Sequence, residues 1–124
     1  MSDISLTIWG RKLDLSVAFD CYENEDILPE QKDALNKLLA SNIIETSRMA
    51  VENYCMERNR QEIGESGIAN IFKYVMPYCL YVRRSSSSDR YVGLMCKYRF
   101  DPEDGLVVLF KNETICDIGT SDIL

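Results

Sequence analysis

Asp101, Glu103 and Asp104 form the densest group of carboxylates in the sequence, and three acids so close together could in principle hold calcium. An EF-hand loop, however, spreads its oxygen ligands over about twelve positions and closes on a Glu. Here Pro102 presets φ, Asp101 caps the start and Gly105 takes the left-handed residue, so residues 101–105 read as a turn without a metal. The candidate nucleophiles are Cys21, Cys55, Cys79, Cys96 and Cys116. No two are spaced C-x-x-C, and most fall on apolar stretches, where a thiol behaves as a small hydrophobe. The sequence has no histidine, which removes the commonest general base, the commonest metal ligand and the usual partner of a Ser or Cys nucleophile. No Gly-rich phosphate loop, dinucleotide fingerprint or nucleophile elbow occurs. The expectation is a protein that is not an enzyme and carries no cofactor and no metal.

What remains is charge. Residues 1–66 hold 13 acids against 7 bases, whereas residues 67–124 hold 7 of each, so all of the net charge of −6 lies in the N-terminal half. Such a field repels nucleic acid and anionic lipid and steers a basic protein partner, although net negative charge also serves solubility. Tyr22, Glu23, Glu25 and Asp26 precede the first predicted helix, and Glu62 and Glu65 fall in a polar, glycine-containing stretch. These six are the predicted partner-binding residues, with Tyr22 as the aromatic anchor. The serine run at residues 85–89 reads as a flexible, solvated loop. Its flanking Arg83, Arg84 and Arg90 make a small basic spot, the alternative place for an interface or a phosphate.

These residues need a scaffold, and 124 residues with 46% hydrophobic and 27% charged suffice for a single domain over 1–124 with one core. Alternation over 4–8 and 13–19 around Gly10-Arg11-Lys12 predicts a hairpin, with Trp9 a partly buried aromatic at its turn. Leu28-Pro29-Glu30-Gln31 marks a helix start, and Ala34, Leu35, Leu38 and Leu39 give that helix an apolar side as far as Ser41-Asn42. Ile44, Ser47, Val51, Tyr54 and Cys55 predict a second helix, from residue 43 or 44 to about residue 58. Residues 59–67 read as a mobile connection, and Ile68, Ile71, Phe72 and Val75 as a short third helix stopped at Met76-Pro77. A strand follows over residues 78–84. Val92, Leu94, Cys96, Tyr98 and Phe100 are apolar at alternate positions, with Lys97 and Arg99 between them, and read as a strand with one wet face. A four-residue loop would pair Asp101 with Leu106, putting Val107 and Leu109 on the Tyr98 and Phe100 face; an Asn112-Glu113 turn would add Cys116 and Ile118. The fold class is α+β: a curved, mostly antiparallel sheet of about six strands with two or three helices on one face, order β-β-α-α-(α)-β-β-β-β. The first fifteen residues lack the basic flank and apolar run of a signal peptide, and the longest aliphatic and aromatic run, 106–110, is far below the ~18 residues of a membrane span. With an odd number of cysteines, this predicts a cytoplasmic protein with reduced thiols.

Residues 91–121 resemble the signature of a family of small bacterial α+β domains. In that family a strand ending in an aromatic leads to an acidic Glu-His-Gly turn, an apolar strand, a short turn and a V-G-like close. The matching residues are Phe100, Asp101, Glu103, Gly105, the run 106–110 and Ile118-Gly119. The sequence departs from the family in having Phe100 and Asp104 where Trp and His are usual, so any role of that imidazole is absent. The family recurs as immunity proteins of polymorphic toxins, including those of contact-dependent growth inhibition. The resemblance therefore implies a cytoplasmic antidote that binds a cognate toxin domain, a nuclease for preference, and blocks its active site. The alternative is a non-catalytic protein-binding or regulatory module unrelated to toxins.

Overall fold

A computed structural model describes residues 2–84 and 88–124, so most of the serine run lies outside the described residues. β1 (Ser2–Ile8) and β2 (Arg11–Phe19) pair antiparallel from Ser2↔Val17 to Ile8↔Arg11, which leaves Trp9 and Gly10 alone in the turn. Both turn residues have positive φ, 52° and 83°, as a tight hairpin between right-twisted strands requires. The turn therefore lies before Arg11-Lys12, which belong to β2, rather than on them. Gly10 accepts that backbone freely; Trp9 is held in it because its indole is buried and its Nε1 donates to Ser47 Oγ at 3.0 Å. The Gly10 N–H donates to Glu45 Oε1 at 2.8 Å, so the hairpin tip is docked on the helical layer.

That layer contains α1 (Pro29–Ala40), α2 (Ile43–Thr46) and α3 (Arg48–Ile63). The predicted second helix is in fact two helices, because Ser47 turns its hydroxyl back to the Ile44 carbonyl at 2.6 Å and accepts the Trp9 bond. α3 runs further than predicted. It passes a kink at Asn59 (φ −133°, ψ 34°), buries Ile63 and stops at left-handed Gly64, so only residues beyond Ile63 are connection. The predicted third helix reduces to a 3-10 turn at Ile71–Lys73, and β3 (Val75–Val82) has already begun at Val75. Pro77 is tolerated inside this strand because β2 pairs with β3 only from Ser16↔Cys79 onward, and the β3–β4 ladder slips between Pro77 and Cys79.

β4 (Tyr91–Tyr98), β5 (Leu106–Lys111) and β6 (Thr114–Gly119) complete a six-stranded sheet ordered β1 to β6, in which only β2 and β3 are parallel. The α+β architecture is as predicted. The β4–β5 register is not: Leu106 pairs with Cys96 instead of Asp101, Lys97 and Tyr98 pair only with β3, and residues 99–105 form the connection. That slip reverses the faces of β5. Leu106, Val108 and Phe110 join Val92, Leu94 and Cys96 in the helix-facing core, while Val107 and Leu109 turn to the opposite face. The Asn112-Glu113 turn is as expected, with φ 50° and 63°. A bulge in β5–β6 pairing then skips Cys116, which is exposed instead of joining Ile118 at the core margin. Among the described residues no helix is long and apolar enough to cross a membrane.

Candidate functional site

Where β2 ends, the chain is pinned before it loops outward. Asp20 N donates to the Val82 carbonyl at 2.9 Å, and buried Gln31 on α1 donates Nε2 to Asp20 O at 2.8 Å while its Oε1 accepts the Leu28 N–H at 3.0 Å. Gln31 looked from the sequence like a mere helix-start polar residue; its burial is what anchors the loop. Within the loop Tyr22 and Glu25 exchange bonds: Glu25 N donates to Tyr22 O at 2.9 Å, and Tyr22 N donates to Glu25 Oε1 at 3.0 Å. Arg84, just past β3, grips both Glu25 oxygens at 2.9 Å, and its guanidinium lies 4.2 Å from the Tyr22 ring centroid. Tyr22 is thereby held 68% exposed on a fixed cation, with exposed Glu23 and Asp26 beside it.

Glu25 is thus not a free acid, as the sequence suggested, but the strut of this platform. The bidentate Arg84 bond and then the Tyr22 N–H hold its carboxyl down at about 2. A depressed carboxylate contributes stability above its unfolded value of 4.5 and loses it as pH falls toward about 2. Glu25→Gln is therefore expected to flatten the pH dependence of unfolding free energy across that window, measured by urea denaturation at stepped pH. A profile as steep as the native one would exclude this role for the pair.

Glu62 is exposed on the last turn of α3, whereas Glu65 accepts the Tyr74 hydroxyl at 2.6 Å and raises that phenol. Tyr74 precedes β3 and Arg84 follows it, so the two acid groups stand at opposite ends of a strand about 25 Å long. The structure does not bring them together. The alternative basic end is also internally engaged: Arg90 forms a two-pronged pair with Glu113 at 2.8 and 2.9 Å, and Arg83 donates to Ile123 O at 3.1 Å and covers the Tyr91 ring.

Asp101 accepts the Asp104 N–H on Oδ1 and the Gly105 N–H on its carbonyl, closing the turn. Among the described residues no cluster of three or more His, Cys, Asp or Glu is placed to hold a metal. Burial pushes the Cys55 thiol up to about 11 and the Cys96 thiol upward as well, which suits packing and disfavours thiolate formation. A groove that the sequence did not reveal, about 680 Å³ in volume, lies on the sheet face away from the helices, floored by Met76, Met95 and Val107. Its signal was the β5 register, which turns Val107 to that face.

No curated protein and no solved structure matches the chain. One protein-family model does, over residues 2–124, and the chain belongs to that family, described as a domain of unknown function, DUF6985.

Proposed function

We propose that the chain is a protein-binding domain that acts in the cytoplasm as the immunity partner of a bacterial toxin domain. The observation that carries this reading is the Tyr22 platform: an exposed aromatic fixed on Arg84, which Glu25 clamps, between the exposed carboxylates of Glu23 and Asp26. A rigid aromatic anchor lowers the ordering cost of binding, and adjacent acids match the positive charge that a nuclease presents to phosphate. The resemblance of residues 91–121 to immunity proteins and the N-terminal excess of acids support the same partner. Blocking the toxin requires no chemistry from the chain.

The test is to look beside the gene for a toxin coding region and to follow association kinetics with its C-terminal domain. Glu23→Lys with Asp26→Lys should slow association about tenfold at low salt and leave the melting temperature unchanged, since exposed charges contribute little to folding. Tyr22→Ala should instead speed dissociation, by about thirtyfold for a central anchor. Rates indifferent to salt and to all three substitutions would place the interface elsewhere, and no binding at all would remove the immunity reading.

A further inference from the structure

At the Val75 end of β3 the sheet carries a feature that the Tyr22 platform does not use. Residues 75–78 precede the β2–β3 pairing, so this part of β3 has no ladder partner on β2. Residues 97–105, with the 3-10 turn at Ile71–Lys73 and Ser121, complete the walls of the 680 Å³ groove. Its volume is within the ~300–1,000 Å³ typical of small-molecule sites. The floor is apolar and adaptable, with Met76, Met95 and Val107, and Tyr78 stands 40% exposed at its side.

The charges at this groove are unlike those of the rest of the chain. Lys73, Lys97 and Arg99 line it together with Glu103 and Asp104, a local balance of +1 in a protein of net charge −6. Among the described residues none of the three cations forms an ion pair with a carboxylate within 4 Å. Lys73 only overhangs the Tyr74 ring, 5.5 Å from its centroid. Three cations facing an apolar floor suit an anion with an apolar body; the two nearby carboxylates and the acidic chain disfavour a polyanion such as a nucleotide or nucleic acid. Pro77 has no N–H, so an added peptide strand would lack a ladder donor at the middle of the free segment.

We infer that this groove is a binding site for a small amphiphilic monoanion, an aliphatic or aromatic carboxylate whose apolar body lies on Met76, Met95 and Val107 and whose head group meets Lys97 and Arg99. The site lies at the other end of β3 from Tyr22 and does not rest on the immunity reading. Decanoate below its micellar concentration is the probe, followed by calorimetry and by amide shifts in nitrogen-15 NMR spectra of the full chain. Decanoate should bind once and saturably, with shifts centred on Met76, Tyr78, Met95 and Lys97, and decanol and decylamine should bind at least tenfold more weakly. Lys97→Glu with Arg99→Glu should weaken decanoate at least tenfold while the melting temperature stays within a few degrees of native. Met95→Glu, a second and independent block, should abolish binding. Absence of saturable binding, equal affinity for decanol, shifts centred elsewhere, or capture of an acidic apolar peptide but not of decanoate would each overturn the inference.

Discussion

Trp9→Ala is expected to cost about 3 to 5 kcal/mol of unfolding free energy, the range for deleting a buried large aromatic. The indole is only 3% exposed, its ring centroid lies 5.8 Å from that of Phe72, and its Nε1 satisfies the hydroxyl oxygen of buried Ser47. Removing it opens a cavity where the hairpin tip meets the break between α2 and α3, so two layers loosen together. In a chain of 124 residues this corresponds to a fall in melting temperature of about 10 to 20 °C. The backbone adds a second, unusual signature. Because Trp9 has φ 52°, glycine at this position regains about 1 kcal/mol of strain that alanine retains. Trp9→Gly should therefore be no less stable than Trp9→Ala, opposite to the order in an ordinary strand. Calorimetric unfolding of both variants checks this, and a loss below about 1 kcal/mol for alanine would mean that the hairpin tip is not docked.

Gly105→Val should be nearly as damaging, by about 3 kcal/mol or more, from positive-φ strain together with a forced local displacement. Gly105 has φ +66°, and any Cβ there would lie 2.7 Å from the Cys96 carbonyl oxygen, a backbone atom that cannot rotate away. The proper control is Gly64, which has nearly the same φ of +69° but open space around its Cβ position. Gly64→Ala isolates the cost of the left-handed backbone, about 1 kcal/mol, and Gly105→Ala should exceed it at least twofold. Urea midpoints of the two alanine variants decide the matter: equal losses would show that the contact with Cys96 relaxes freely.

The parts of the fold that could be read in advance were those with a clean period. β4 carries Val92, Leu94, Cys96 and Tyr98 at alternate positions, and all four are buried as expected. β5 was oriented from the turn alone and came out reversed, because all five residues 106–110 are apolar and all five are buried, so neither parity leaves a polar residue stranded in the core. The end of α3 was hidden by polar residues and two glycines, although Ile63 continues the spacing of Met56 by two helical turns. In the candidate site, exposure of Tyr22, Glu23 and Asp26 followed from composition. The Arg84 clamp on Glu25 did not, since 59 positions separate the pair and only the parallel seam of the sheet brings them together. The groove was invisible for a related reason: its charges come from Lys73 and from residues 97–104, whose proximity depends on a register that local pattern cannot set.

That parallel seam also governs how the chain reaches its fold. β1 with β2, and β3 through β6, are each built from neighbours in sequence joined antiparallel, so both pieces can form by local closure. Only Ser16↔Cys79 to Phe19↔Val82 unites them, across the whole helical segment, and this one long closure carries most of the entropic cost of the topology. Apart from that seam the hairpin is held by its buried side chains and by the bonds of Trp9 and Gly10 to the helical layer. Once the Glu25–Arg84 clamp and the Trp9 and Gly10 bonds are released, the β1–β2 hairpin of one copy has the connectivity needed to dock on β3 of another, so this seam is where two chains at high concentration would exchange strands.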